Sequence, residues 1–402
     1  MKLLVIGAGM MGSAAAYDMA RSPGVERVTL ADSNERRARE AAARMNKLAT
    51  GTKIRATRLD ASKIRDARKL MRQHDAALSA VPYFFNLGLA RAAVDAGCHF
   101  ADLGGNNAIV REELKLARSA AKRGVALAPD CGLSPGMASI LAGELMRRVG
   151  GRADALKIYV GGLPKDPKPP FEYQLVFSVE GLINEYVEPA RVLRDGKVRD
   201  IEPLTEPEPF QLRGFPEMVA FHTSGGTSTL PETFAGRVGE CFEKTLRTPA
   251  HFRMVRALYD LGLFASEPRK LGKAEISPRA LTSQLFQEKF AGEAPDVVIL
   301  RIEAHEPRSR GLRTLLRRGA PPEAPRILAF TLVDAYDPKT RMTAMMRTTA
   351  WPASIVTQML ASGAIAKRGA IHQESDVSAE KFLRQMAARG VHIQYSEERC
   401  DS

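Results

Sequence analysis

The chain opens Met1-Lys2-Leu3-Leu4-Val5-Ile6-Gly7-Ala8-Gly9-Met10-Met11-Gly12, and the reading of this stretch decides the fold. An apolar run stops in a glycine-rich turn, and an alanine-rich helical pattern follows from Ser13 to Arg21. The order is strand, Gly-x-Gly-x-x-Gly, helix. Gly7 permits the tight turn out of the strand, Gly9 lets backbone approach a pyrophosphate, and Gly12 lets the helix pack on the strand. The phosphates then meet the helix N-terminus, with Met10 and Met11 in its first turn, where N–H groups and the dipole favour anions. A second apolar run, Val25 to Ala31, ends in Asp32-Ser33, and Asp32 lies twenty residues past Gly12. A carboxylate there accepts both ribose hydroxyls of an adenosine. A phosphate loop of the Walker type needs lysine after its second glycine, and Gly12 is followed by Ser13-Ala14. Asp32 repels a 2′-phosphate and favours NAD. Arg36 and Arg37 follow closely, so NADP stays possible, although both also suit a solvated helix face.

Alternation of strand and helix continues as a parallel sheet requires. Helices are expected at Arg36–Leu48, Ile64–Gln73, Asn86–Ala96 and Val110–Arg123. Strands are expected at Ile54–Leu59, Asp75–Val81, His99–Leu103 and Val125–Ala128. Asp60-Ala61-Ser62 is a cap signature that places Asp60 at a strand end. In doubly wound sheets ligands bind at the carboxyl ends of the strands. The residues that fall there are Ala80-Val81-Pro82-Tyr83, Asp102-Leu103-Gly104-Gly105-Asn106 and Asp130-Cys131-Gly132. The fold class is α/β: a Rossmann doubly wound parallel sheet interrupted by an α+β substrate domain with a mixed sheet. The expected division is 1–132 for dinucleotide binding, 133–345 for substrate and oligomerisation, and 346–402 for helices that return to the first domain.

In the middle region, Ala155–Gly162, Tyr173–Val179, Gly196–Ile201, Val219–Phe221, Val297–Ala304 and Arg326–Tyr336 read as strands. Tyr186–Arg194, Phe234–Leu246, Phe252–Leu261 and Pro278–Phe290 read as helices. Pro352–Leu360 and Ala379–Ala388 are helical, and Val391-His392-Ile393 closes the pattern.

Composition narrows the class. The 402 residues suffice for more than one domain, with 45% apolar and 26% charged residues as in ordinary globular proteins. No apolar run of about 18 residues exists, so no membrane partner is expected. The start lacks a signal-peptide plan, and the four cysteines lack a Cys-x-x-Cys spacing, which reads as reduced thiols in the cytoplasm. The seven histidines show no metal-ligand spacing, so no metal is expected. A net charge of +13 raises nucleic-acid binding. The arginines are spread over the chain without aromatic interleaving, which argues against it. The cluster Arg308–Arg318 reads as a solvated hairpin tip.

Four stretches carry a resemblance: Ala128-Pro129-Asp130-Cys131-Gly132-Leu133-Ser134-Pro135-Gly136-Met137, Val160–Pro164, Phe177–Tyr186 and Thr223–Thr233. With them the chain resembles the saccharopine dehydrogenase family, and within it the lysine 6-dehydrogenase-like members, from residue 1 to about residue 370. The resemblance implies NAD-dependent oxidation of the side-chain amine of L-lysine to the 6-semialdehyde, which closes to a cyclic imine, with ammonia released. It also implies a homo-oligomer and a small amino-acid substrate. A saccharopine- or carboxynorspermidine-type dehydrogenase working with NADPH is the rival enzyme. A non-catalytic nucleotide-binding sensor is the rival outside enzymes.

That chemistry needs a neutral amine, whose free pKa is about 10.4, and therefore a base or an apolar pocket. Asp102 and Asp130 end adjacent strands and can orient the amine or take its proton, with Asp130 the nearer choice. Cys131 follows beside the expected nicotinamide. Tyr83 and Asn86 follow Pro82, where the chain can close over a ribose or substrate. Glu180, Asn184 and Glu185 fall in one short window, and two carboxylates there suit a diamine-like substrate. Thr223-Ser224-Gly225-Gly226-Thr227 offers hydroxyls and N–H groups for a carboxylate.

Overall fold

The computed structural model describes residues 1–292, 294–308 and 324–399. In chain order the first elements are β1 (Lys2–Ile6), α1 (Met10–Arg21), β2 (Arg27–Asp32), α2 (Glu35–Leu48), β3 (Ile54–Arg58), α3 (Ile64–Met71), β4 (Ala76–Ser79), α4 (Asn86–Ala96), β5 (His99–Asp102), α5 (Asn107–Leu114), α6 (Ala117–Lys122), β6 (Ala126–Ala128) and α7 (Met137–Arg148). Local chemistry fixes several ends. The Asn34 side chain accepts the Arg37 N–H at the start of α2. Gly97, at φ +73°, closes α4 in the left-handed region. The single helix expected over Val110–Arg123 is two helices. The first starts earlier than expected because Asn106 caps it, accepting the Ala108 and Ile109 N–H groups.

The middle of the chain holds β7 (Ala153–Pro164), α8 (Val179–Val187), β8 (Ala190–Arg194), β9 (Lys197–Ile201), β10 (Glu208–Phe210), β11 (Met218–His222), α9 (Leu230–Phe234), β12 (Val238–Arg247), α10 (Pro249–Asp260), β13 (Arg269–Leu271), β14 (Ala274–Ile276), α11 (Pro278–Phe290), β15 (Asp296–His305) and β16 (Arg326–Ala335). The last elements are α12 (Ala344–Ala361), β17 (Gly369–Ala370), α13 (Gln373–Asp376), α14 (Ala379–Ala387) and β18 (Ile393–Arg399).

Three expectations for this region are corrected. Tyr173–Val179 is not a strand. Tyr173 and Leu175 alternate inward because this irregular segment packs into an aromatic core with Ile183, Tyr186, Phe221, Phe286 and Phe290. Its Leu175 N–H bonds the Phe290 carbonyl rather than a ladder partner. Tyr186–Arg194 is not a helix: α8 stops before Pro189, and β8 turns into β9 through Asp195-Gly196, both at positive φ, as a tight hairpin requires. Phe234–Leu246 is mostly strand β12, which pairs with β7, β11 and β8. Its inward Glu243, Lys244 and Arg247 imitate the polar face of an amphipathic helix.

The chain divides into two compact units. The first comprises Met1–Glu144, Pro338–Met342 and Met346–His392; the second comprises Leu145–Asp337, Thr343–Met345 and Ile393–Ser402. The first unit holds a seven-stranded sheet in the order β17-β6-β5-β4-β1-β2-β3, with every pairing parallel. Strand order reverses between β1 and β4, which is the switch point of a doubly wound sheet. The second unit holds a nine-stranded sheet that runs β10-β11-β12-β7-β15-β16-β18, with β8 and β9 off that path. It is mixed: β12 and β7 are parallel, while β7, β15, β16 and β18 pair antiparallel. The terminal strand β18 therefore belongs to the second sheet, not to the nucleotide domain with the helices before it. The expected hairpin tip Arg308–Arg318 falls outside the described residues apart from Arg308, whose N–H meets Asp154 at 2.9 Å. No helix among the described residues is long and apolar enough to cross a membrane.

Candidate nucleotide and amino-acid sites

In the first unit the glycine turn is built as its spacing demands. Gly7 sits at φ +106°, and a Cβ there would lie 2.5 Å from the Ala80 carbonyl oxygen. A Cβ at Gly12 would overlap the Gly7 carbonyl oxygen. Gly9 differs: a Cβ there would meet no protein atom within 4 Å. The protein itself does not demand glycine at that position. The N-terminus of α1 has neither a side-chain cap nor an acidic residue in its first turn. Open approach at Gly9 and uncapped N–H groups together fit a pyrophosphate. Met10 is exposed and Met11 half-buried beside it.

Asp32 ends β2 with one carboxyl oxygen turned to this loop and the other to the start of α2. Oδ2 accepts the Ala8 N–H at 2.8 Å. Oδ1 accepts the Asn34 N–H at 2.9 Å and the Arg37 guanidinium at 2.8 Å. Burial works to raise its pKa, but the Arg37 bond and the Ala8 and Asn34 N–H groups outweigh it and hold the carboxyl below the usual range. Ser33 beside it is exposed. Asp60 is also exposed and spends its carboxylate on the Ser62 N–H and hydroxyl. Pro82 is exposed, Val81 and Tyr83 are half-buried, and Gly105 packs against the Tyr83 ring. Asn86 is buried and accepts the Ser79 hydroxyl at 2.7 Å, so its carbonyl ties α4 to β4.

The ends of β5 and β6 concentrate carboxyl groups. Asp102 is fully buried, and its Oδ1 accepts the N–H groups of Gly104 at 2.7 Å and Asp130 at 3.2 Å. Its carbonyl accepts the Cys131 N–H at 2.7 Å. Asp130 stands at φ +59°, and its carboxyl lies against Gly104, where a Cβ would overlap Oδ1. Leu103 and Asn106 flank that glycine pair, with Asn106 spent on the α5 cap. Glu113 of α5 completes the group. Burial first, then the Asp102 and Asp130 charges, push Glu113 far up. Burial and Asp130 likewise raise Asp102. The Cys131 thiol is fully buried and donates to the Ala128 carbonyl at 3.1 Å. Burial, then the Asp102 and Asp130 charges, push the thiol up, so it stays neutral rather than becoming a nucleophilic thiolate. Gln373, distant in sequence, donates to the Pro129 and Asp130 carbonyls at 2.8 and 2.6 Å.

In the second unit the predicted residues separate into two groups. Glu180 and Asn184 on α8 face α11: Arg279 meets Glu180 at 2.9 Å and Asn184 at 2.6 Å, and Ser283 donates to Glu180 at 2.8 Å. Glu185 turns elsewhere, toward the buried Arg247 at 3.7 Å. Its carbonyl accepts the Ser224 N–H. Thr223 donates to Glu243 at 3.1 Å and shares a hydrogen bond with Thr245 at 2.7 Å. Gly226 lies over the Glu243 side chain, and Gly225 adopts φ +98°. Thr227 bonds the Arg191 carbonyl at 2.8 Å and so belongs to the turn's framework. Five groups therefore converge: Glu185, Thr223, Glu243, Thr245 and Arg247. Burial raises Glu243 to about 8 and Glu185 to about 7, the latter against the pull of Arg247. Arg247 also lies over the Tyr173 ring at 5.4 Å. His251 is held neutral: burial and then Arg247 drive its pKa down to about 3. Its Nδ1 donates to the Phe171 carbonyl, so Nε2 accepts the Tyr186 hydroxyl at 2.9 Å.

Glu113, Gln373, Glu243, Thr245 and Arg247 are the residues that reading the sequence missed. None of them carried a usable signal, since the run of Glu243, Lys244, Thr245 and Arg247 along β12 breaks the alternation of a strand. Among the described residues no cluster of His, Cys, Asp and Glu has the form of a metal site.

Comparison with known proteins adds the following. A saccharopine dehydrogenase NADP binding domain model matches residues 3–127, and a saccharopine dehydrogenase C-terminal domain model matches residues 132–391. Saccharopine dehydrogenase [NADP(+), L-glutamate-forming] of Schizosaccharomyces pombe is 26% identical over 153 residues, which are 37% of this chain and 33% of that protein. The mitochondrial alpha-aminoadipic semialdehyde synthase of Rattus norvegicus is 24% identical over 206 residues, 50% of this chain and 21% of that protein. These matches span less than half the length of either relative. The structure of apo saccharopine dehydrogenase (L-Glu forming) from Saccharomyces cerevisiae superposes with a TM-score of 0.77 at 17% identity, covering 99% of each chain, which shows a shared fold.

Proposed function

The chain belongs to the saccharopine dehydrogenase family, and from that premise we propose that it oxidises the side-chain amine of L-lysine to an imine with a nicotinamide cofactor, and that water then hydrolyses the imine, releasing ammonia and leaving the 6-semialdehyde. One observation carries the choice of substrate. Strand β12 buries Glu243 and Arg247 beside Glu185, two carboxyl groups around one guanidinium. That set suits an amino acid with one carboxylate and a surplus of amines. Arg247 suits a carboxylate as a fork, and Glu185 with Glu243 suits an ammonium group, whose charge draws the two carboxyls into their ionised forms. Gly9, the α1 N-terminus and Asp32 hold the cofactor, which supplies the hydride acceptor. Asp130 accepts the proton that must leave the reacting amine.

The names of the relatives favour a second reading, oxidation of saccharopine. Saccharopine carries carboxylates at both ends and calls for guanidinium groups beyond Arg247. In the second unit Arg191, Arg194, Arg279 and Arg301 are held by carboxylates of the protein at hydrogen-bond distance, whereas Arg247 meets Glu185 only at 3.7 Å. Association into a homo-oligomer is part of the same proposal and is checked by light scattering. The deciding experiment mixes the protein with NAD or NADP and lysine, ornithine or saccharopine, and follows the absorbance of the reduced nicotinamide. Turnover of lysine is the expected result. Turnover of saccharopine alone overturns the reading.

A further inference from the structure

Glu112 and Glu113 are neighbours on α5, yet they meet opposite fates. Glu112 points to the surface and pairs with Lys115. Glu113 turns inward and is 2% exposed. Among the described residues neither of its carboxyl oxygens meets an N–H or O–H donor, and Asp102 Oδ2, also buried, meets none. The side chain that Glu113 does meet is Asp102, whose carboxyl group interacts with its own as a hydrogen-bonding neighbour. Two ionised carboxylates cannot share such a site, because repulsion and lost hydration both oppose them. A single shared proton removes both penalties. Its place follows from the other contacts. Asp102 Oδ1 already receives two N–H groups, from Gly104 and Asp130, which favour its charged form. Glu113 receives none.

We propose that Glu113 is a positioning residue that stays protonated and donates its O–H to Asp102 Oδ2. Asp102 is then saturated on both oxygens and holds two turns at once, the Leu103–Asn106 loop through Gly104 and the segment that presents Asp130 and Cys131. Asp102, Asp130 and Cys131 are the titratable groups that face Glu113. This role does not depend on which amine is oxidised, so its test needs no substrate.

Unfolding frees Glu113 to ionise above the ordinary glutamate pKa of about 4.3, so unfolding releases a proton. The site's contribution to stability therefore falls as pH rises, by up to about tenfold in the folding equilibrium per pH unit. Glu113→Gln keeps a donor for Asp102 but has no proton to lose. Urea unfolding of both proteins at about pH 6, 7 and 8 should show the variant gaining on the parent by about tenfold per unit. A gap that does not change with pH overturns the proposal. Infrared spectroscopy of the parent gives a second reading should the variant fail to fold. A protonated-carboxyl carbonyl band that persists at about pH 9 is expected, because burial and the Asp102 charge keep Glu113 neutral there. Its absence overturns the proposal as well.

Discussion

Asp32 and Arg37 are joined at 2.8 Å across the first turn of α2, while the same carboxylate accepts the Ala8 N–H of the glycine loop. In the proposed cofactor site the pair lies at the adenosine ribose, where it sets two opposed tendencies. The carboxylate receives ribose hydroxyls and repels a 2′-phosphate; the guanidinium, once released, attracts one. Asp32→Ala should weaken NAD by about 1.5–3 kcal/mol, the range for hydrogen bonds to a charged group, and raise the NADP preference. Arg37→Ala should lower NADP affinity and leave NAD nearly unchanged. Fluorescence titration of both variants with both cofactors decides it. An unchanged NAD-to-NADP ratio in Asp32→Ala removes Asp32 from the selectivity.

Gly9 and Gly12 should respond differently to the same substitution. A methyl group at Gly12 overlaps the Gly7 carbonyl, so Gly12→Ala must push α1 off β1 and lower the melting temperature. A methyl group at Gly9 has room in the protein, so Gly9→Ala should fold with near-parental stability and lose cofactor affinity. Circular dichroism melts and cofactor titration separate the two effects. Equal cofactor affinity for Gly9→Ala and the parent would falsify the phosphate assignment of this loop.

These two glycines also show why the first unit was legible in the sequence and the second less so. In a parallel sheet each buried strand is an apolar run and each turn carries its glycine or cap, so β1 to β6 could be read in order. In the second unit, β12 is a central strand that buries Glu243, Lys244 and Arg247, and burial of charge is the opposite of what a strand pattern leads one to expect. Of the polar groups that hid the strand, Glu243 and Arg247 converge on Glu185, while Lys244 turns to Glu206 and Glu208. The Asp195-Gly196 turn was a readable hairpin signal, missed because the flanking run was assigned to a helix. Glu113 had no signal, since an acid on a short helix reads as surface until the fold turns it toward Asp102. Gln373 reaches the Asp130 carbonyl from a segment far along the chain, a contact that no local pattern encodes.

Arg247→Lys tests the recognition of the α-carboxylate. Lysine keeps the charge but loses the planar fork, and the two are not interchangeable at a bidentate site. The expected outcome is a rise in KM for the amino acid of about tenfold to a hundredfold, equivalent to about 1.4–3 kcal/mol, with kcat changed much less. Steady-state kinetics check it. A fall in kcat at constant KM would place Arg247 among the groups that act only in the transition state.

Glu243 makes stability depend on pH in a defined window. Its folded pKa is raised by burial to about 8, above the ordinary glutamate value of 4.5. The folded state therefore holds a proton that the unfolded chain gives up. The contribution is largest below about pH 4.5, declines as pH rises, and levels off once pH passes about 8. Glu243→Gln should remove this decline, so the variant gains on the parent up to about pH 8 and no further. Thermal melts across the range check the plateau, and a gap still widening well above it contradicts the assignment.

Asp130 is the last and most demanding case. It stands at φ +59°, a conformation that most side chains resist and that Asn and Asp tolerate. Asp130→Ala would strain the turn and confuse folding with chemistry, whereas Asp130→Asn keeps the backbone conformation and removes only the acid–base group. Asp102 is an unsuitable rival as the group that meets substrate, because its carboxyl is taken up by the Gly104 and Asp130 N–H groups and by Glu113. Free lysine amine has a pKa of about 10.4, so at neutral pH a base must draw off its proton before hydride can leave. Asp130→Asn should therefore bind cofactor normally and turn over lysine about a hundredfold or more slowly. The deficit should shrink as pH rises, because more of the amine then arrives neutral and needs no base. Stopped-flow hydride transfer from about pH 7 to about pH 10 measures both trends. Near-parental turnover at neutral pH would move the base away from Asp130, to Glu185 or to solvent.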